Sequence, residues 1–310
     1  MEADETPAGR PAVTRAGFLS AIRQRAAETV AGPPAPPPTH PELPPPGELI
    51  EPLLSDDDLL ADIEDARAEA GLHLWWLGQS GFLVQIDGEH LLLDPYLSDT
   101  PAGTSAGAET PQERLTRNVI APERLAFVDV VTSSHAHIDH LDPGTLPGVL
   151  SGGAQLVCAA GTQALAQERA GKPPAVALAA GEDAQIGGFH ITAVPAYHDG
   201  APEAVGYVIR NGPFILYHAG DTRRVQGIAE AVAPHAVDVA LLPVNGKHGN
   251  MDGADAARLA HEAQARIAVP CHYEMFRSDT ASPVRFIAEC ERLRQEYRIL
   301  SAGESILIDP

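Results

Sequence analysis

Residues 127–146 read FVDVVTSSHAHIDHLDPGTL, and no other stretch constrains the fold as tightly. A run of strand-forming residues stops, and four potential metal ligands follow within six positions: His135, His137, Asp139 and His140. Side chains two apart on an extended segment point the same way, so His135 and His137 face one side, and Asp139 and His140 follow as the chain turns. Asp142 and Pro143 then read as the N-cap and first residue of a helix. Imidazoles with a carboxylate are a donor set for zinc, iron or manganese, and several in one turn can serve two metals without cysteine. The chain must therefore bring the carboxyl end of a strand to an accessible edge.

The rest of the chain supplies such strands. Beyond Leu72 short β-rich runs alternate with turns: LHLWWLG, FLVQID, HLLLDPY, FVDVVTSS, QLVCAA, FHITAVPAY, AVGYVIR, PFILYHAG, VDVALLPV and RIAVPC. Helical spacing is expected after Pro143, and over 161–169, 254–265 and 284–297, which implies a layered α/β body with helices outside. HLLLDPY and FILYHAGD both run from an apolar strand to an aspartate, a weak sign of duplication. Upstream, SDDDLLADIEDARAEAG reads as an acidic helix capped at Ser55, carrying Leu59, Leu60 and Ile63 on one side and ended by Gly71. Two units follow. Residues 1–50 are expected to form a helix at 13–30 and a proline-rich linker at 32–47, and residues 51–310 the catalytic domain.

Composition narrows the function. A net charge of -21 without a Lys/Arg run argues against nucleic acid or an anionic membrane as partner. Cys158, Cys271 and Cys290 are far apart without CxxC spacing, so neither a disulfide framework nor a thiolate zinc site is expected. Lacking a basic-then-apolar leader or a long apolar run, the protein is expected to be cytoplasmic and soluble. Homo-oligomerisation is left open.

SSHAHIDHLD resembles the HxHxDH signature of the metallo-β-lactamase superfamily. The resemblance covers about residues 72–308 and implies an αββα sandwich with a dinuclear site between its sheets. It also implies further ligands in a set order: PAYHD supplies His198, LYHAGDT supplies Asp221 and VPCHYEMF supplies His272. One metal would take His135, His137 and His198 and the other Asp139, His140 and His272, with Asp221 bridging. Asp94, ending HLLLD, matches an aspartate that orients a metal-bound histidine in the family. WWLGQSGFLV, HAGDT and CHYEMF are similar to the branch that includes L-ascorbate-6-phosphate lactonase. Glu274 departs from that branch, which tends to carry aspartate there. His218 reads as structural, and six other histidines lack ligand context.

Two divalent ions, zinc first, with manganese or iron as substitutes, would lower the pKa of a bound water from 15.7 towards about 7. The expected activity is hydrolysis of a small-molecule ester, lactone, amide or phosphodiester, with Asp139 relaying a proton and Asp221 joining the metals. Substrate contacts are expected from loops at the same strand ends: Gln79, Tyr197, Arg223, Lys247, His248, Tyr273 and Glu274. Arg223, Arg224, Lys247 and His248 together would make a cationic patch. The competing class is an iron-dependent oxidoreductase on the same fold. Several di-iron relatives carry glutamate where this chain has His137, which favours hydrolysis.

Overall fold

The computed structural model describes residues 43–101 and 113–309. The helix expected at 13–30 and most of the proline-rich segment lie outside the described residues. Fourteen strands and six α-helices alternate along the described chain. Strands β1 (Leu72–Gly78), β2 (Gly81–Ile86), β3 (Glu89–Leu93), β4 (Val130–Ser133), β5 (Gln155–Ala159) and β6 (Val176–Leu178) make one sheet with β14 (Ser305–Ile308). Strands β7 (Asp183–Ile186), β8 (Phe189–Pro195), β9 (Val205–Asn211), β10 (Phe214–His218), β11 (Val239–Pro243), β12 (Ile267–Cys271) and β13 (Glu296–Tyr297) make the other.

The sheets repeat one plan. The first runs β14-β1-β2-β3-β4-β5-β6 and the second β7-β8-β9-β10-β11-β12-β13 when listed in the matching direction. In the first, β14, β1, β2 and β3 pair antiparallel and β3 to β6 pair parallel. In the second, β7 to β10 pair antiparallel and β10 to β13 pair parallel. The two aspartate-ended segments noted in the sequence occupy matching places, after β3 and after β10.

Period-two alternation shows how the layers form. Leu72, Leu74 and Trp76 of β1 enter the core between the sheets, whereas Trp75 and Leu77 enter the core on the opposite face. That outer core is closed by α1 (Asp56–Asp65), α2 (Leu146–Leu150) and α3 (Gln163–Ala170). On the far side α4 (Gln226–Val232), α5 (Gly253–Glu262) and α6 (Val284–Leu293) cover the second sheet. Both sheets are thus buried on both faces, which is why their central strands read as unbroken apolar runs. The result is an αββα sandwich.

Several local expectations need correction. Asp142 caps a turn, not the helix: Oδ1 accepts from Gly144 N at 2.9 Å and Oδ2 from Thr145 Oγ1, and α2 starts only at Leu146. Ser55 stands at the N-cap of α1 without a side-chain cap bond, and Leu60 is only half-buried beside Leu59 and Ile63. The last helix ends at Leu293, where Arg294 turns left-handed at φ 58°, and Glu296–Tyr297 pair as a strand instead of continuing it. No helix among the described residues is long and apolar enough to cross a membrane.

Glu289 ties α5 to α6. Its carboxylate accepts from Arg258 Nε at 2.6 Å and from Arg292 Nε and Nη2 at 2.8 Å. Those bonds, that of Arg292 foremost, hold it at about 2, below an ordinary 4.5. A depressed carboxylate contributes stability that is complete above the ordinary value and lost as pH falls towards the folded one. Glu289→Gln is therefore expected to cost about 1–3 kcal/mol at neutral pH. Thermal melts should show the gap between variant and parent closing between about pH 4.5 and pH 2.

Candidate metal centre

One edge of the sandwich collects the carboxyl ends of β1, β3, β4, β8, β10 and β12, because parallel and alternate antiparallel strands share a direction. The loop after β4 carries His135, His137, Asp139 and His140. His198 follows β8, Asp221 follows β10 and His272 follows β12 at once. Gly220 lets the β10 loop close on the β4 loop: it is left-handed at φ 58°, and a Cβ there would lie 2.7 Å from that of Ser134.

Seven side chains converge. His137 Nδ1 lies 3.0 Å from His135 Nε2 and 3.1 Å from His198 Nε2. On the other side, Asp139 Oδ2 lies 3.7 Å from His140 Nε2 and 3.5 Å from His272 Nε2. Asp221 stands between the two groups. Its Oδ2 is 3.5 Å from His198 Nε2 and 3.3 Å from His272 Nε2, and its Oδ1 is 3.4 Å from His140 Nε2. Donor atoms of His135, His137, His198 and Asp221 fall within 4.8 Å of one another, as do those of Asp139, His140 and His272.

The electrostatics differ between the groups. Burial holds His135 well below its ordinary value and His198 down at about 4, so both are neutral imidazoles with lone pairs to offer. Burial also works against charge on His140 and His272, but the Asp221 and Asp139 carboxylates outweigh it, raising His140 well up and His272 to about 10. Those imidazolium ions in turn hold both carboxylates low in spite of burial. Positive charge is thus stabilised at this point, in the form of protons that a metal would displace. His140 Nε2 and Asp221 Oδ1 are buried without a hydrogen bond. Orphaned donor atoms in a set of imidazole nitrogens and carboxylate oxygens fit divalent cations.

Asp94 is fully buried and left-handed at φ 37°. Its Oδ2 lies 2.7 Å from His140 Nδ1 and also accepts from Ser134 Oγ, while Oδ1 accepts from Ser134 N at 2.9 Å. This is the contact that orienting His140 requires, and it occupies Asp94 fully, although Asp94, His135 and His140 also cluster within 4.8 Å. Ser134 was not singled out in the sequence; its adjacency to His135 was the available signal. His218 is buried with Nε2 3.0 Å from the Ser80 carbonyl, away from the seven. Gln79, Asp94 and His272 all have positive φ, a strain of order 1 kcal/mol each that gathers around the site.

The expected substrate contacts fare unevenly. Gln79 is buried in the centre, its Nε2 donating to Asp139 Oδ2 at 2.7 Å. Tyr197 is 43% exposed beside His198. Tyr273 is a correction: it turns into the core, stacking on Trp76 with ring centroids 4.4 Å apart and donating its hydroxyl to the Leu300 carbonyl. The chain turns left-handed at His272 and again at Glu274, and between them Tyr273 points away from the ligands. Tyr273→Phe is expected to cost about 1 kcal/mol in unfolding while leaving kcat/KM unchanged. Glu274 is buried and left-handed at φ 55°, its carbonyl accepting from Thr116 Oγ1. The cationic patch is also corrected. Arg223 pairs with Asp199 at 2.7 Å, Arg224 with Glu262, Lys247 donates to the Ser278 carbonyl, and the exposed His248 lies 3.8 Å from Asp279. An apolar cluster that was not foreseen, Tyr96, Met275 and Phe276, packs against Ile138, the residue before Asp139.

Comparison with known proteins places the chain in a family. Residues 73–272 match the Beta-lactamase superfamily domain. A UPF0173 metal-dependent hydrolase of Opitutus terrae is 30% identical over 247 residues, spanning 76% of this chain and 99% of that protein. Igni18, a metallo hydrolase of the archaeon Ignicoccus hospitalis, shares the fold at a TM-score of 0.59 and 24% identity, over 78% of this chain and all of that one. The diiron β-hydroxylase CmlA of Streptomyces venezuelae shares it at 0.58 and 15%, over 77% of this chain and 54% of that one. The chain belongs to the metallo-β-lactamase superfamily, and its sequence relatives there are metal-dependent hydrolases.

Proposed function

We propose that the protein is a dinuclear metal-dependent hydrolase of small neutral carbonyl compounds, an ester, lactone or amide. The observation that carries this reading is the pair of donor triads with Asp221 between them. His135, His137 and His198 would hold one ion and Asp139, His140 and His272 the other, with Asp221 shared. Imidazole and carboxylate donors suit zinc, and manganese or iron accept the same set. Two such ions supply an activated water and a Lewis acid when bound.

The chain's own groups support the remaining steps. Asp139 has the more exposed of the two central carboxylates, at 14% against 4% for Asp221, so it can accept a proton from the water and pass it to the leaving group. Gln79 reaches the same carboxylate, with its Nε2 2.7 Å from Asp139 Oδ2. Tyr96, Met275 and Phe276 pack on Ile138, the neighbour of Asp139, and would limit water on that side. The choice of a neutral carbonyl over a phosphodiester rests on the loop cations, each already facing a carboxylate or a carbonyl. Lactone cleavage, implied by the lactonase-like resemblance, falls inside this class. The iron oxidoreductase alternative has only a likeness of fold, at 15% identity to CmlA.

Metal-replete protein should carry about two transition-metal ions per chain and hydrolyse members of an ester, lactone and amide panel in preference to phosphodiesters. Asp139→Ala should lose that activity by about 100-fold or more. Fewer than one ion per chain would sink the reading.

A further inference from the structure

The tip of the β1–β2 hairpin puts a side chain into the centre that the seven-residue set does not use. Gly78 pairs with Gly81, leaving Gln79 and Ser80 as a two-residue turn. Gln79 is fully buried, and its carbonyl accepts from Trp76 Nε1 at 3.0 Å and from His272 N at 2.9 Å. With the backbone clamped on both sides, the side chain runs to the second triad. There the carboxamide nitrogen lies 2.7 Å from Asp139 Oδ2 and 3.1 Å from His272 Nε2. Two donors about 2.0–2.2 Å from one cation, at tetrahedral or octahedral angles, lie roughly 3 Å apart. The amide terminus therefore stands where a further ligand of the same ion would stand.

Its orientation depends on what shares the triad. The NH2 group faces the Asp139 carboxylate, and Oε1 is left buried without a hydrogen bond. A cation held by Asp139 and His272 would repel the NH2 hydrogens and attract the carbonyl oxygen. The two ends of a carboxamide have nearly the same shape and exchange by a half-turn. We propose that Gln79 is an eighth ligand: when the second metal binds, the amide turns over and Oε1 joins Asp139, His140 and His272. This rests on the two-metal reading above. It assigns to the hairpin tip a direct part in holding one ion and none in holding the other.

Titration of the metal-free full chain with zinc, read by calorimetry and by competition with a chromophoric chelator, separates the two binding events. Gln79→Leu, which removes the donor, should weaken the second equivalent by at least about 10–100-fold and leave the first unchanged. Gln79→Glu, which returns an oxygen at the same reach, should bind the second equivalent at least as tightly as the parent. With cobalt(II), the visible bands of Gln79→Leu should intensify as the coordination number falls. Thermal melting of the metal-free variants identifies any that misfold, and Gln79→Glu keeps the test open if the leucine variant does. A second equivalent bound to folded Gln79→Leu as tightly as to the parent would overturn the inference. Uptake of only one equivalent by the parent would remove the two-metal reading itself, and the inference with it.

Discussion

An Asp221→Ala variant is expected to lose turnover by about a thousandfold or more, with metal content per chain falling alongside. Its Oδ2 reaches His198 and His272 and its Oδ1 reaches His140, so this one carboxylate faces donors from both triads. Removing it leaves His140 and His272 without the carboxylate that contributes most to their raised values. On the two-metal reading, both ions would then lose a ligand and the negative charge between them. A loss of about 4 kcal/mol in transition-state stabilisation corresponds to the thousandfold drop. Kinetics and elemental analysis on one preparation check it; parental metal content with parental turnover would refute the shared position of Asp221.

The second large effect is expected from Asp94→Asn, a change of shape by almost nothing. Asp94 Oδ2 faces His140 Nδ1 and Ser134 Oγ, and an amide NH2 placed there offers hydrogens to groups that need an acceptor. His140 would lose the partner that keeps its proton on Nδ1, and a proton moved to Nε2 blocks the nitrogen facing Asp221. Second-metal affinity should fall by about 10–100-fold, since partners of ligating histidines have effects of this size. Chelator competition measures it, and an unchanged affinity would remove Asp94 from any orienting role. Circular dichroism should show a folded protein, because Ser134 N keeps an oxygen to donate to.

The parts legible in the sequence were those in which local pattern and tertiary role coincide. LHLWWLG reads as a strand and is one because both its faces are buried, Trp75 against helices and Trp76 against the other sheet. Asp183–Ile186 gives no apolar run, and Ser305–Ile308 offers only a short one, three of its four residues half-buried, so neither is marked as a strand by its sequence. The helix Gln226–Val232 buries Ile228, Ala229 and Val232 but has only seven residues, too few for a helical period to show. Crowding of ligand types made His135 to His140 visible, and strand-end position made His198, Asp221 and His272 candidates. Nothing local shows that Arg223 meets Asp199 or that Tyr273 turns inward. Those outcomes depend on segments far apart in the chain.

The division of the seven residues between the sheets has a consequence for cooperativity. The loop after β4, on the first sheet, provides His135, His137, Asp139 and His140, while His198, Asp221 and His272 all come from the second. On the proposed assignment each triad takes two residues from the first sheet and one from the second, so each ion would be held across both halves. A loaded centre would fasten the halves together at one edge, and unfolding of either half would have to release its ions first. Two fragments separated between β6 and β7 would then report their own reassembly by the metal they take up.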